Sequence, residues 1–83
     1  MTESDHDYLE KEIMPCVSST LGMSVNWERE YKNPTEEKVG QIMIVRPAQE
    51  FAVDKKTAEH WASLPQHRAH DKVLDWLNAK NFK

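Results

Sequence analysis

Apolar and polar residues alternate along the chain in a way that predicts a first helical stretch, two or three strands and a second helical stretch. Apolar residues recur every four positions from Leu9 to Leu21, which predicts one apolar stripe along a helix. Pro15 lies inside this stripe, and proline removes a backbone donor and crowds the preceding turn. We therefore expect a helix over about 5–14, capped by Ser4, and then a kinked continuation or a second short turn up to Thr20, with Gly22 ending the stretch.

The middle of the chain has the shorter periodicity of strands. Apolar and polar residues alternate from Met23 to Tyr31, which predicts a half-buried strand. The four residues after Gln41 all have large aliphatic side chains, so we expect a central strand over 41–45 that is covered on both faces. Phe51 and Val53 alternate with Glu50 and Ala52, and this pattern allows a short third strand.

Two helices are predicted after the strands. Asp54 is a suitable N-cap for a helix over 55–64, and Ser63 with Gln66 has capping-box spacing for a last helix over about 65–79. The alternative is a single helix bent at Pro65. Runs of strands placed between helices indicate the α+β class. We predict a small antiparallel sheet of two or three strands with an N-terminal helix and two C-terminal helices, in the order α-β-β-(β)-α-α, and a single domain spanning 1–83.

The composition is that of a soluble globular domain, with 39% hydrophobic and 30% charged residues. Cys16 is the single cysteine, and no apolar run is long enough to span a membrane. We therefore expect a cytoplasmic location and no membrane association. Because Cys16 precedes Val17 on the apolar side of the first helix, a buried and unreactive thiol is predicted. Core positions are favoured for Trp27, Trp61 and Trp76.

Catalytic and metal-binding residue types are present without the spacing that their chemistry requires. The chain has 2 glycines, too few for a phosphate-binding loop. His60, His67 and His70 are close in sequence, but they lack a zinc-motif spacing and are expected on solvent-facing helix positions. Cys16 with a distant histidine is a weak nucleophile pair. We predict no enzymatic activity, no bound metal and no cofactor.

Charge is unevenly distributed along the chain. In residues 1–21 five acidic residues against Lys11 give a net charge of −4, whereas seven basic and five acidic residues in 46–83 give +2. An acidic head on a small domain without catalytic motifs favours a protein–protein interaction module, most often a regulator or inhibitor that binds and blocks a larger protein, as phage-encoded inhibitors, immunity proteins and antitoxins do. The sequence leaves the partner's identity and homodimerisation open. The predicted contacts are Glu10, Glu12, Glu28, Arg29, Glu30, Tyr31 and the connection 32–38.

The alternative function is nucleic-acid binding by the C-terminal helices. Residues 63–66 occupy the position of a helix-turn-helix turn. The element order and the segment 54–59 also resemble a double-stranded-RNA-binding domain, which places a K-K-x-x-K cluster at the start of its last helix to contact phosphates. Lys55 and Lys56 match this cluster, and Glu59 stands where the third lysine belongs. The predicted phosphate-contacting residues are Lys55, Lys56, Arg68 and Lys72, although the net charge of −3 disfavours phosphate binding.

Overall fold

The computed structural model of the protein describes residues 1–29, 37–80 and 82. A long N-terminal helix is followed by three antiparallel strands and two separate C-terminal helices, so the predicted α+β class and the optional third strand are confirmed. The strands lie in the order β1-β2-β3, with β2 in the centre. The elements after the first helix are β1 (Val25–Glu28), β2 (Lys38–Ile44), β3 (Gln49–Asp54), α3 (Lys55–Ala62) and α4 (Gln66–Ala79).

The N-terminal helix continues past Pro15 because a wider turn precedes the proline. It consists of α1 (Glu3–Tyr8), a π-helical segment (Leu9–Ile13) and α2 (Met14–Leu21). The Met14 N–H donates to the carbonyl oxygen of Leu9, five residues earlier. Pro15 then lies in the first turn of α2, where a missing N–H donor is tolerated. Gly22, with a φ of 68°, ends the helix as predicted.

The N-terminal helix begins at an earlier cap than the sequence predicts. Thr2 is the N-cap residue, and its hydroxyl accepts a hydrogen bond of 3.1 Å from the Asp5 N–H. The Asp5 carboxylate accepts in return from the Thr2 N–H at 3.3 Å, which completes a capping box. The predicted Ser4 cap is therefore wrong, because the first turn already includes Ser4.

The caps of the C-terminal helices follow the prediction at one helix only. The Asp54 carboxylate accepts from the Thr57 N–H at 3.2 Å and from the Thr57 hydroxyl at 2.6 Å, which confirms Asp54 as the cap of α3. The hydroxyl bond lowers the pKa of Asp54 below its usual value, against a smaller opposing effect of burial. The Ser63 hydroxyl instead donates to the His60 carbonyl at 2.7 Å, so the predicted Ser63 cap of α4 is wrong. Ser63 still has helical backbone angles at the end of α3, which brings that carbonyl within reach.

The sheet packs one face against the helices. Ile42 and Ile44 of β2 are buried, whereas Gln41 and Met43, which alternate with them, are only half-buried. The prediction that both faces of the central strand are covered is therefore wrong. Trp27 is 3% exposed and belongs to the core, in agreement with the favoured prediction. Among the described residues, no helix is both long and apolar enough to cross a membrane. The buried core is formed by Leu9, Ile13, Met14, Val17, Val25, Trp27, Ile42, Ile44, Val53, Ala58, Trp61, Ala69, Val73 and Leu77.

Candidate functional site

Arg29 connects the end of β1 to the acidic N-terminal helix. Its guanidinium group donates to the carboxylates of Glu3 and Asp7, and its Nε atom lies 3.9 Å from the Glu10 carboxylate. The Arg29 side chain is 35% exposed, so the three ion pairs, which share one cation, together contribute about 1 kcal/mol or less. Two predicted contact residues, Arg29 and Glu10, are thus brought together. Their charges are already paired within the chain.

The other predicted protein contacts do not form one patch with this cluster. Glu12 is exposed on the π-helical segment of the N-terminal helix. Glu28 is exposed on β1 and points away from the helices, because Trp27 beside it is buried. Glu30 and Tyr31 lie outside the described residues, as do residues 32–36 of the predicted contact loop.

Two of the three tryptophans, Trp27 and Trp61, lie in the core as expected, and only Trp76 differs. The buried indole of Trp27 donates from Nε1 to Nδ1 of His6 at 3.1 Å, which links β1 to α1. Trp76, which was expected in the core, is only half-buried. Its ring makes edge-to-face contacts with Trp61 and Phe51, with centroids 5.5 and 6.0 Å apart. The Lys80 ammonium group lies 5.0 Å from the Trp76 ring centroid, so a cation–π contact covers part of this ring.

The side of the sheet that faces away from the helices, here called the outer face, carries polar and apolar side chains in two rows. Met43 lies between Asn26 and Glu50 in the strand register. Gln41 lies between Glu28 and Ala52 in the neighbouring row. Alternation along each strand places these side chains opposite the buried ones. The outer face is therefore defined by Asn26, Glu28, Gln41, Met43, Glu50 and Ala52.

Val45 extends the apolar part of the outer face beyond β2. Its N–H donates to the Ser24 carbonyl at 3.1 Å, which continues the ladder between β1 and β2 by one pair. Its side chain is 53% exposed and is the one exposed large hydrophobic side chain among the described residues. Met43 is half-buried but does not pack against the core. An apolar strip thus runs along the central strand, with carboxylates on both neighbouring strands.

Sequence reasoning identified Glu28 but missed Met43, Val45 and Glu50. The run from Ile42 to Val45 has no polar interruption, so it resembles a strand buried on both faces. The signal for the outer face was present in the third strand, where Glu50 and Ala52 alternate with Phe51 and Val53. Pairing that strand with β2 would have placed Glu50 beside Met43.

A second cluster joins the N-terminal helix to α4. The Gln66 side-chain amide donates to the Glu12 carbonyl at 2.9 Å and lies 3.3 Å from the Cys16 sulfur. The Cys16 thiol in turn donates to the same carbonyl at 3.4 Å. Cys16 is only half-buried, so the predicted burial of its thiol is wrong, and its lack of reactivity stays a prediction. A groove of about 400 Å³ follows this junction and is lined by Cys16, Ser19, Thr20, Gln66, His67 and His70.

The same junction contains a chain of hydrogen bonds from Thr20 through His70 to Asp71. The Thr20 hydroxyl lies 2.7 Å from Nε2 of His70, and Nδ1 of His70 lies 3.1 Å from the Asp71 carboxylate. The order hydroxyl, imidazole, carboxylate is that of a catalytic triad. However, the Thr20 hydroxyl also donates to the Cys16 carbonyl at 3.1 Å, and this bond uses its only proton. The arrangement fits a contact between two helices better than an activated nucleophile.

The three C-terminal histidines do not converge. His60 borders a different groove from the one that His67 and His70 line. In the described part of the chain no group of three histidine, cysteine or acidic side chains is placed to hold a metal ion.

The basic residues of the nucleic-acid alternative are divided between two depressions that share no lining residue. Lys55 and Lys56 line one of them together with the acidic Glu37 and Asp54. The other contains Arg68 and Lys72, again with two carboxylates, those of Asp71 and Asp75. Gln66, near the predicted reading end of a helix-turn-helix, is bonded to the N-terminal helix.

In comparisons with known proteins, no family model, no curated protein and no solved structure matches this chain. The resemblance of residues 54–59 to a double-stranded-RNA-binding domain therefore gains no support from a family match. Function has to be inferred from the geometry of the chain itself.

Proposed function

We propose that this protein is a small regulator that binds a larger protein through the outer face of its sheet. One observation supports this most directly: the helices pack against one face of the sheet, and the other face carries Met43 and Val45 beside the carboxylates of Glu28 and Glu50. Protein interfaces commonly have an apolar centre with a polar rim, and methionine is enriched in them. Blocking the partner's own surface then requires no catalytic step.

The outer face is a better contact surface than the acidic N-terminal helix. Arg29 already pairs with Glu3, Asp7 and Glu10, so three carboxylates of that helix are engaged within the chain, although one guanidinium neutralises only one of their charges. Glu28 and Glu50 have no such ion pair in the described residues. Unpaired carboxylates attract a basic partner and accelerate association. We place this interaction in the cytoplasm, because the chain has a single cysteine.

The test is site-specific photo-cross-linking of tagged full-length protein in cytoplasmic extract, with a photoreactive amino acid at position 43. The matched control carries the same amino acid at position 75, on the exposed side of α4. We expect one protein to be cross-linked from position 43, to survive nuclease treatment and to be absent from the position-75 sample.

Charge reversal provides the second arm of the test. Glu28→Lys is expected to lower recovery of the cross-linked protein about tenfold, because like charges at an interface are strongly unfavourable. Asp75→Lys makes the same change in net charge away from the sheet and should leave recovery unchanged. Recovery that disappears with nuclease, or equal cross-linking from both positions, would contradict the proposed function.

A further inference from the structure

The two edge strands of the outer face are separated by about the width of an α-helix. Glu28 belongs to β1 and Glu50 to β3, and Met43 of β2 lies between these strands. Neighbouring strands are about 4.8 Å apart, so the two edge strands are separated by about 10 Å. An α-helix with its side chains is about 10–12 Å across. A helix laid over β2 would therefore be bordered by one carboxylate on each side.

The apolar strip along β2 suits the ridge of such a helix. Met43 has a flexible side chain that adapts to a packed partner, and Val45 is largely exposed at the end of the strip. Ala52 lies beside Gln41 and is exposed, so its small side chain leaves room for a partner to approach the sheet. Side chains at i, i+3, i+4 and i+7 on an amphipathic helix form an apolar stripe that matches a strip of this kind.

Charge disfavours a second copy of this chain as the occupant. The six side chains that define the outer face include Glu28 and Glu50 and no basic group. Docking two copies face to face would bring four carboxylates together, and like charges in an interface are unfavourable. Nucleic acid is disfavoured on this face for the same reason, because its phosphates are negative.

An added β-strand is also a poorer occupant. Strand addition uses free backbone groups at an edge of the sheet and leaves the side chains of the face uncovered. The features that need a partner here are side chains in the middle of the face and carboxylates at its borders. They require an element that covers the face of the sheet along β2.

We infer that the outer face binds a basic amphipathic helix of the partner protein, with an apolar stripe against Met43 and Val45 and with lysine or arginine on both sides of that stripe, near Glu28 and Glu50. This inference depends on the proposed function and specifies the partner's chemistry. Because each carboxylate borders one side of the bound helix, both contribute to binding.

The inference is tested with two synthetic helical peptides that share a leucine stripe. One carries lysine on both sides of the stripe, and the other carries glutamate at the same positions. Fluorescence anisotropy with the full-length protein is expected to show binding of the lysine peptide only. Glu28→Gln, Glu50→Gln and Met43→Ala should each weaken binding several-fold, whereas Asp75→Asn, which removes one charge from α4, should not.

Nuclear magnetic resonance identifies the face that binds. Addition of the lysine peptide is expected to shift amide resonances in β1, β2 and β3 more than those on the exposed side of α4. Equal binding of both peptides, equal weakening by Asp75→Asn, no binding at all, or shifts centred on α4 would each overturn the inference. Far-ultraviolet circular dichroism of each variant checks that the fold is retained.

The inference and the proposed function fail in different ways. A protein cross-linked from position 43, together with no binding of the lysine peptide, would retain the proposed function and refute the basic helix. Absence of a specific cross-link from position 43 would refute the proposed function. If the lysine peptide still bound in that case, and if its binding depended on Glu28 and Glu50, the outer face would be an acidic surface that binds basic helices but has no protein partner in the extract.

Discussion

Replacing Gly40 by alanine is expected to destabilise the protein, although alanine is ordinarily better than glycine inside a strand. A Cβ atom at Gly40 would lie 2.5 Å from Cζ2 of Trp27 and 2.6 Å from the Glu28 carbonyl oxygen. Both distances are shorter than a van der Waals contact. The indole is buried at 3% exposure and the carbonyl belongs to the neighbouring strand, so neither group can move without disturbing the core.

Two opposing effects determine the size of this loss. Alanine restricts the unfolded chain and would stabilise the fold by about 0.4–1 kcal/mol if there were space for it. Overpacking a filled core costs about 1–3 kcal/mol. The expected net change is a loss of about 1–2 kcal/mol in the free energy of unfolding. For a domain of this size each 1 kcal/mol corresponds to about 4–8 °C, so Tm should fall by roughly 5–15 °C.

Urea unfolding followed by tryptophan fluorescence and circular dichroism measures this loss, with an unchanged m-value as the check that only stability has changed. In the double variant Gly40→Ala with Trp27→Phe, the smaller ring lacks the nearest clashing atoms. The double variant should therefore lose less free energy of unfolding than the two single variants lose together, by at least about 0.5 kcal/mol. Gly22→Ala is the control, because φ is 68° there and no atom lies within 4 Å of the added Cβ. It should cost about 1 kcal/mol from backbone strain and show no coupling to Trp27. Wild-type stability of Gly40→Ala, or full additivity with Trp27→Phe, would show that the Trp27 indole does not exclude a Cβ atom at this position.

Three further predictions concern polar contacts. Arg29→Ala removes the cation shared by three carboxylates of the N-terminal helix. The free energy of unfolding, measured by urea titration, should fall by about 1 kcal/mol or less. This loss should be smaller at higher salt, because salt screens exposed charges. Asp54→Ala should lower the free energy of unfolding by about 1 kcal/mol at neutral pH. Asp54→Asn should lower it less, because its amide oxygen still accepts a hydrogen bond at the cap. Because the Thr57 hydroxyl lowers the pKa of Asp54 in the folded state, the ionised carboxylate stabilises the fold above pH ~4. This contribution is lost as pH falls through the lowered pKa, and acid titration of Asp54→Asn should lack it. A double-mutant cycle of Thr20→Val and His70→Ala should show a coupling of about 0.5–1.5 kcal/mol in urea unfolding. Zero coupling would mean that this bond does not hold α2 against α4.

Sequence patterns predicted the first helical stretch, two of the three strands and the C-terminal helical region in their correct order, whereas the third strand and the separation of the last two helices were left open. Alternation in residues 23–31 and the aliphatic run after Gln41 predicted strands, and the four-residue period from Leu9 to Leu21 predicted a helix. These signals are local, since the side-chain periods of a helix and a strand are visible within one stretch of chain. Asp54 as a cap and Gly22 as a helix end were equally local and were confirmed.

Local signals failed where several nearby residues offered the same chemistry. Thr2 and Ser4 both precede an acidic residue by three positions, and only the path of the folded chain selected Thr2. Pro15 was compatible with a break or a kink. The packing of Leu9 and Ile13 into one core favours a continuous helix, and the π-helical segment makes that continuity possible.

The candidate interface depended on contacts between residues far apart in the sequence. Arg29 pairs with carboxylates about 20 or more positions earlier, and Gln66 meets Cys16 from a distant helix. Neither pairing is encoded in a local pattern. The sequence determined that Ile42 and Met43 point to opposite faces of a strand, because alternation is a property of the strand itself. Which face remains open depends on where the helices pack, and that follows only from contacts between residues distant in the sequence.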